Sequence, residues 1–287
     1  MLRIWFEALR PRQWVKNGVV VAAWIDSGRL LDLAALGASA LVFVWLCLLS
    51  SAAYLVNDIA DVERDRRHPR KRLAPLASGR MQRSTAAALA VVLGVLGLAG
   101  AWRTHPLTGA FLAGFLALQM TYTAWLRHQP FADVIAIAAG FTLRLVSATI
   151  ALTPNWSPWL ILACFFASLF MVLNKRQYEA LHITPESLDY RPSLAAYEPA
   201  LLAQVIPTVA AAAVTMYCAY AVLNPFTPLL LATAPFLIYG IIRYQQAMTK
   251  HHIGGESYRV FLEDRLTIGN LLVWLSLTIV LILADAR

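Results

Sequence analysis

The sequence predicts an all-α fold, a polytopic integral membrane helical bundle with about nine transmembrane helices. Hydrophobic residues make up 59% of the 287 and charged residues only 14%, whereas soluble domains are about 45–50% apolar and about 25% charged. The mean hydropathy is +0.60, and the apolar residues are gathered into runs near the length of about 20 residues that a spanning helix needs. We therefore expect a single transmembrane domain over residues 1–287.

Nine apolar runs predict the spans. In chain order they are 14–25, 34–56, 84–102, 106–126, 131–152, 157–174, 199–223, 226–243 and 266–284. The first run is the shortest, because Lys16, Asn17 and Asp26 leave it barely long enough to cross. A cleavable signal peptide is not expected, since Arg10, Arg12 and Lys16 interrupt the region where its uncharged segment would lie.

The distribution of lysine and arginine predicts the orientation. With nine spans and the N-terminus inside, all 24 of these residues lie on the inner side except Arg29, Arg103, Arg144 and Arg287. Cytoplasmic loops carry such an excess, so we expect a multi-pass protein of the cell inner membrane with its charged loops in the cytoplasm. The net charge of +8 implies no nucleic-acid partner, because this bias and anionic lipids or phosphates account for it. Association into a homo-oligomer is left open.

The charged stretch 57–83, between the second and third predicted spans, contains the main candidate site. If the helix continues from Tyr54, four oxygen-bearing side chains fall within about 100° around its axis. These are Asn57, Asp58, Asp61 and Asp65. Like charges so close repel unless a cation joins them, and hard oxygen ligands suit Mg²⁺. We predict a Mg²⁺ site here; the alternative is a solvated loop that obeys membrane topology.

Cations follow these acidic residues directly. They are Arg64, Arg66, Arg67, Arg70, Lys71 and Arg72. Such side chains bind phosphate oxygens, while Pro69, Pro75 and Gly79 favour a loop that can close over a ligand. On the N-terminal side, the stretch 10–17 places cations and amides at the inner membrane surface, where a plain basic anchor is an equally good interpretation.

Arg144 is an unusual cation inside the fifth predicted span. It lies eleven residues past Asp133, on the same helical face but about 16 Å along the axis, too far for an ion pair. A charge at that depth costs a few kcal/mol and normally faces a bundle interior or polar cavity. We expect Arg144 to project into a cavity that holds an anion; the alternative is a structural pairing with another span.

A second polar group follows the sixth span. Lys175, Tyr178, Glu179 and His182 fall at i, i+3, i+4 and i+7, which places them on one helical face. A solvated helix end and a functional group are equally good interpretations. The adjacent His251 and His252 lack the spacing of a metal site and are interpreted as loop residues.

Several motifs resemble a known family. Asn57-Asp-x-x-Asp61-x-x-x-Asp65, the nine apolar runs and Leu76-Ala-Ser-Gly79 are similar to the UbiA superfamily of intramembrane prenyltransferases. Ordinary members carry a second acidic motif, DxxxD, after the sixth span, where this chain has Asn174-Lys-Arg-Gln-Tyr178. With that departure, the stretches 10–17, 54–65, 68–72 and 168–176 closely resemble the decaprenyl-phosphate 5-phosphoribosyltransferase branch. The resemblance covers nearly the whole chain.

The resemblance implies an enzyme, a Mg²⁺-dependent pentosyltransferase at the cytoplasmic membrane face. It would move 5-phosphoribosyl from phosphoribosyl pyrophosphate to a polyprenyl (decaprenyl) phosphate, release pyrophosphate and supply a cell-wall or glycan precursor.

The resemblance also implies roles for individual residues. Asn57 and Asp61 are implied as the first metal ligands, with Asp58 and Asp65 supporting them, and the three aspartates as the catalytic group. The residues implied for donor phosphates are Lys16, Tyr54, Lys71 and Arg72. Those implied for the chamber between donor and lipid phosphate are Gln119, Tyr122, Arg127, Arg144 and Lys175, together with Tyr178. Arg127 stands where the family is expected to have lysine.

Two other functions are weighed against this one. An ordinary prenyltransferase would move a polyprenyl group from its pyrophosphate to an aromatic or lipid acceptor, but the absence of the second DxxxD argues against it. A transporter or lipid carrier would place charged groups near the membrane midplane between repeats. The carboxylates here cluster towards one side instead.

Overall fold

The computed structural model describes residues 2–67, 71–153, 156–182, 192–250 and 258–285. In those ranges all regular secondary structure is helical, which confirms the all-α class. The predictions made for Pro69, Arg70, His251 and His252 lie outside the described residues.

The α-helices, numbered in chain order, are α1 (Leu2–Leu9), α2 (Val20–Asp26), α3 (Leu33–Arg67), α4 (Arg83–Thr104), α5 (Pro106–Ala124), α6 (Ala132–Leu152), α7 (Pro158–Leu181), α8 (Pro199–Val222), α9 (Ala234–Lys250), α10 (Tyr258–Glu263) and α11 (Arg265–Asp285). Short 3₁₀ helices cover Pro11–Val19, Lys71–Leu73, Leu126–His128, Pro192–Ala196 and Pro228–Thr233. Proline opens α5, α7 and α8, where its missing N–H costs no helical hydrogen bond.

Seven helices among the described residues are long and apolar enough to cross a membrane: α3 to α8 and α11. A multi-pass membrane protein is therefore confirmed, but the count of nine is not. The run 14–25 lies in the 3₁₀ helix Pro11–Val19 and the seven-residue α2. The run 226–243 lies in the 3₁₀ helix Pro228–Thr233 and the 17-residue α9. Both runs are helical, and each is divided between two helix types.

Helix α3 positions the acidic motif. It continues for 35 residues to Arg67, as predicted from Tyr54 onward. At about 1.5 Å per residue it is about 52 Å long, well beyond a hydrocarbon core of about 30 Å. The apolar part of α3 can therefore span a bilayer while its polar C-terminal turns extend past the hydrocarbon.

The chain forms two compact units. The first comprises 1–24, 31–127 and 143–154, and the second comprises 25–30, 128–142 and 155–287. In the first unit, apolar residues of α1, α3 and α4 and of the loop after α3 form a core around Leu55 and Val62. In the second, α7, α8 and α9 pack around Phe170, Leu202 and Tyr244. That residues 1–287 act as one domain stays a prediction.

Candidate active site

The three aspartates of the motif are buried on α3. Asp58, Asp61 and Asp65 are only 5%, 4% and 3% exposed. A buried carboxylate is costly unless it is paired and hydrogen-bonded, so this burial argues against a merely solvated loop. The chain must supply cations to these groups or accept one from solution.

Each aspartate is paired with a cation from another segment of the first unit. Arg10 Nη2 lies 2.5 Å from Asp58 Oδ1, and Lys71 Nζ lies 3.7 Å from Asp65 Oδ1. Arg127 Nη1 lies 2.7 Å from Asp61 Oδ2. The stretch before α2, the loop after α3 and the turn after α5 thus all converge on one helix face.

Asn57 and Asp61 are brought together on the α5 side of this face. Arg127 Nη1 is also 3.4 Å from Asn57 Oδ1, and the Thr123 hydroxyl lies 3.5 Å from the same oxygen. Asp61 Oδ1 is buried without a hydrogen-bond donor, although Arg64 Nη1 lies 3.6 Å away. A buried carboxylate oxygen with no donor is an available ligand.

These oxygens fit a hard divalent cation. Mg²⁺ prefers oxygen ligands, and the site offers the amide oxygen of Asn57 and the Asp61 carboxylate oxygen that accepts no hydrogen bond. Across the ranges that the structure describes, however, no three His, Cys, Asp or Glu side chains converge as a metal-holding group. The structure therefore places Asn57 and Asp61 side by side, with Asp58 and Asp65 each facing its own cation, and a ligand set of all four stays a prediction.

Arg10 is a site residue that the sequence analysis did not select. It adopts a left-handed backbone (φ 53°, ψ 53°) between α1 and the following 3₁₀ helix, a conformation that is unfavourable for a non-glycine residue. Its guanidinium lies 5.4 Å from the centre of the Tyr54 ring as well as on Asp58. Burial alone would lower the pKa of Arg10, but Asp58 and Tyr54 raise it above its ordinary value. The feature of the sequence that could have identified Arg10 is its position as the first residue of the cationic stretch 10–17.

The candidate donor-phosphate residues differ in their surroundings. Lys16 interacts with the Tyr54 hydroxyl, and burial lowers the pKa of Lys71 against the opposing effect of Asp65. Arg72 is exposed. Within the same loop, Arg80 donates to the Leu73 carbonyl over 2.5 Å, which ties the loop together. The structure thus brings Lys16, Tyr54 and Lys71 to the acidic face.

Arg144 is buried and contacts Asn17 and Phe115. Its Nε donates to Asn17 Oδ1 over 3.0 Å, and its guanidinium lies 4.4 Å from the centre of the Phe115 ring. Asn17 is fully buried, so Arg144 links α6 to the 3₁₀ helix Pro11–Val19 and to α5. That it projects into a cavity that holds an anion stays a prediction. Gln119 and Tyr122 are half-buried and follow Phe115 on one face of α5.

The second polar group, in the second unit, is an ion network. Arg176 is 1% exposed; its Nε donates to Asp133 Oδ2 over 3.1 Å and its Nη1 donates to Glu179. Tyr197 donates its hydroxyl proton to the other oxygen of Asp133. Asp133 thus pairs with Arg176 and not with Arg144, which its distance along α6 had excluded. The sequence analysis missed this role for Arg176.

Lys175 lies at the edge of this network. Its Nζ is 3.7 Å from Glu179 Oε1, and its side chain is 32% exposed. One turn on, the Tyr178 ring stacks on His182 with a centroid distance of 4.2 Å. Both contacts confirm the shared helical face.

Fold and site together define a polytopic membrane protein in which buried carboxylates are paired with arginine and lysine side chains. The model of the UbiA prenyltransferase family matches residues 18–263, and the chain belongs to this family.

Relatives with assigned names indicate a particular branch of this family. The chain is 32% identical over 283 residues to the decaprenyl-phosphate phosphoribosyltransferase of Mycolicibacterium smegmatis, covering 94% of this chain and 89% of the relative. It is 38% identical over 216 residues to the protein of that name from Mycobacterium tuberculosis (strain ATCC 25618 / H37Rv), covering 74% and 71%. A solved UbiA homolog from Archaeoglobus fulgidus, bound to DMAPP and Mg²⁺, matches with a TM-score of 0.73 at 15% identity over 97% of each chain. At that identity the likeness shows the fold alone.

Proposed function

We propose that this protein transfers 5-phosphoribosyl from phosphoribosyl pyrophosphate to a polyprenyl phosphate, at the cytoplasmic face of the membrane and with Mg²⁺. The relatives named decaprenyl-phosphate phosphoribosyltransferase support the reaction class. The observation that carries the proposal is the second motif. Where an ordinary prenyltransferase has DxxxD, this chain has Asn174-Lys-Arg-Gln-Tyr178, so both aspartates are missing and the motif contains two cations.

The charge requirement of the two reactions explains that difference. A prenyl donor brings only its diphosphate, whereas phosphoribosyl pyrophosphate adds a 5-phosphate and the lipid acceptor adds a further phosphate. More anions require more cations, and arginine and lysine bind phosphate by hydrogen bond and charge. In the second unit, Arg176 forms ion pairs with Asp133 and Glu179. The side chain of Lys175 is partly exposed, so Lys175 is the cation of this motif that an anion can reach.

The reaction needs no general base. The bond between C1 of ribose and the pyrophosphate oxygen breaks, and the electron pair leaves with pyrophosphate. An oxygen of the lipid phosphate, already an anion at neutral pH, forms the new bond to C1. When bound, Mg²⁺ supplies charge stabilisation for the departing pyrophosphate. Asn57 and Asp61 would hold it, with Asp58 and Asp65 in support.

The chain's own cations bind and orient the donor. Lys16, Lys71 and Arg10 stand on the acidic face and can contact phosphate oxygens as charge develops on them. Tyr54 lies between Lys16 and Arg10. Arg127, which bridges Asn57 and Asp61, keeps this pair close together.

Transfer of label tests the proposal. Purified protein is incubated with Mg²⁺, ribose-labelled phosphoribosyl pyrophosphate and a polyprenyl phosphate, and the lipid phase is counted. The proposal predicts label in lipid only when both substrates and a divalent cation are present. The family name keeps an ordinary prenyltransferase as the second candidate, and prenylation of an aromatic acid from a polyprenyl pyrophosphate would favour it.

A further inference from the structure

A groove on the second unit lies between α9 and α11. Its volume is about 460 Å³, and Phe236 and Tyr239 of α9 line one side. On α11 the lining includes Arg265, Leu266, Gly269 and Val273. These four fall at i, i+1, i+4 and i+8, on one helix face that extends about 12 Å along the axis. We call this feature the α9–α11 groove.

The floor of the groove is fixed by a close helix crossing. Asn270 Nδ2 donates to the Phe236 carbonyl over 3.0 Å, and Gly240 lies so near that a Cβ there would be 3.2 Å from the same nitrogen. At Gly269, by contrast, a Cβ would meet no atom within 4 Å. The missing side chain at Gly269 is therefore what leaves the middle of the groove open.

One end of the groove carries a cation, Arg265. Arg265 is exposed and makes no ion pair with any residue of the described ranges. The adjacent Asp264 does not neutralise it, because Arg243 Nε and Nη2 lie 3.0 and 2.5 Å from its oxygens and Thr267 N donates to it over 2.8 Å. A positive end and an apolar trough are complementary to a lipid with one anionic head.

We propose that the α9–α11 groove is a docking site for the polyprenyl phosphate acceptor, with its phosphate beside Arg265 and its chain along Leu266, Gly269 and Val273. The groove runs between two neighbouring helices, and a polyprenyl phosphate has the single apolar chain and single anionic head that its apolar lining and Arg265 complement. Its cation lies in the segment predicted to be cytoplasmic, where a lipid phosphate has its head group. The proposal rests on the proposed function for the identity of the lipid.

Two substitutions with matched controls test the site by binding, without turnover. Gly269→Leu fills the open middle of the groove, and Gly37→Leu is its control, an exposed glycine of α3 that also has no atom within 4 Å of a Cβ. Arg265→Gln removes the cation, and Arg103→Gln is its control, an exposed arginine at the end of α4. Native mass spectrometry measures how much polyprenyl phosphate and how much phosphatidylglycerol each purified protein retains, and the two amounts are compared.

Wild type should retain polyprenyl phosphate in preference to phosphatidylglycerol. Gly269→Leu should weaken retention about fourfold or more, which corresponds to the loss of burial of one CH₂ group, about 0.8 kcal/mol. Arg265→Gln should weaken it about two- to fivefold, the scale of an exposed ion pair, and both controls should match wild type. In the transfer assay, Gly269→Leu should raise the KM for a long-chain acceptor and leave the KM for the sugar donor unchanged.

Two results would overturn the docking site: equal retention by wild type and Gly269→Leu, or retention of phosphatidylglycerol as strong as that of polyprenyl phosphate. The second result would mean that the groove holds bulk lipid. Groove-dependent retention by a protein that transfers no phosphoribosyl would support the site and contradict the proposed function alone, so the two failures are distinguishable.

Discussion

Arg127 places one guanidinium nitrogen 2.7 Å from Asp61 Oδ2 and 3.4 Å from Asn57 Oδ1. Two residues one helical turn apart on α3 are thus joined by a cation from the turn after α5. The other oxygen of Asp61 has no hydrogen-bond donor. This pair is where the structure best fits a metal ligand set, and it makes Asp61 the residue on which activity should depend most.

Asp61→Asn should lower transfer about 100-fold or more, the scale of losing a main electrostatic group, while membrane insertion and yield are retained. The asparagine keeps the size of the side chain and removes its charge. Glu63→Gln is the matched control, because Glu63 lies on the same helix with a side chain that is 66% exposed. Transfer rates in purified protein provide the measurement, and an Asp61→Asn enzyme of near-normal rate would refute the assignment.

Arg10 combines a left-handed backbone with an ion pair to the buried Asp58. Arg10→Gly removes the cost of a left-handed residue, since glycine adopts φ > 0 readily, and it also removes the guanidinium from Asp58. The relieved backbone strain is smaller than the cost of leaving Asp58 buried without its cation, so we expect lower thermal stability and about tenfold slower transfer, as for a lost charge-assisted hydrogen bond. Arg10→Lys should recover part of the rate. The exposed neighbour Arg12 provides the control Arg12→Gln; equal rates for Arg10→Gly and this control would remove Arg10 from the site.

The two cations of the second motif should behave differently. Lys175→Met should fold normally and lose about ten- to 150-fold in transfer efficiency, the equivalent of about 1.5 to 3 kcal/mol for a charged contact to phosphate. Arg176→Met should instead destabilise the fold by about 3–5 kcal/mol, because it leaves Asp133 buried without its cation. Thermal unfolding in detergent and transfer rates distinguish the two effects. If Lys175→Met is fully active, Lys175 does not bind substrate.

Much of this arrangement follows from the sequence, because the features concerned are local. Apolar run length predicts the spanning helices, and helical periodicity predicts that Asn57 and Asp61 share a face. The partners of that face do not follow, since Arg10 and Arg127 reach it from segments 48 and 66 residues away along the chain. For the same reason the structural role of Arg176 does not follow from the sequence, since its partner Asp133 lies 43 residues away along the chain. The runs 14–25 and 226–243 each change from 3₁₀ helix to α-helix. Hydrophobic periodicity does not reveal such a change, so the predicted count of nine spans is not confirmed.

The run 226–243 determines the topology of the C-terminal half. A reporter fused after Gly79 should be cytoplasmic and one fused at the C-terminus should be external, because six long helices and α9 would then cross between them. If α9 and its preceding 3₁₀ helix do not cross, both reporters will lie on the same side. Protease protection of the two fusions provides the measurement.

The central claim is that the donor is phosphoribosyl pyrophosphate, and the most direct test compares two donors in one purified preparation. With Mg²⁺ and a polyprenyl phosphate, ribose-labelled phosphoribosyl pyrophosphate should yield labelled lipid, and chelation of the metal should stop the reaction. With a polyprenyl pyrophosphate and an aromatic acid, the same preparation should form no prenylated product. Label that stays in the aqueous phase, together with prenylation of the aromatic acid, would contradict the account.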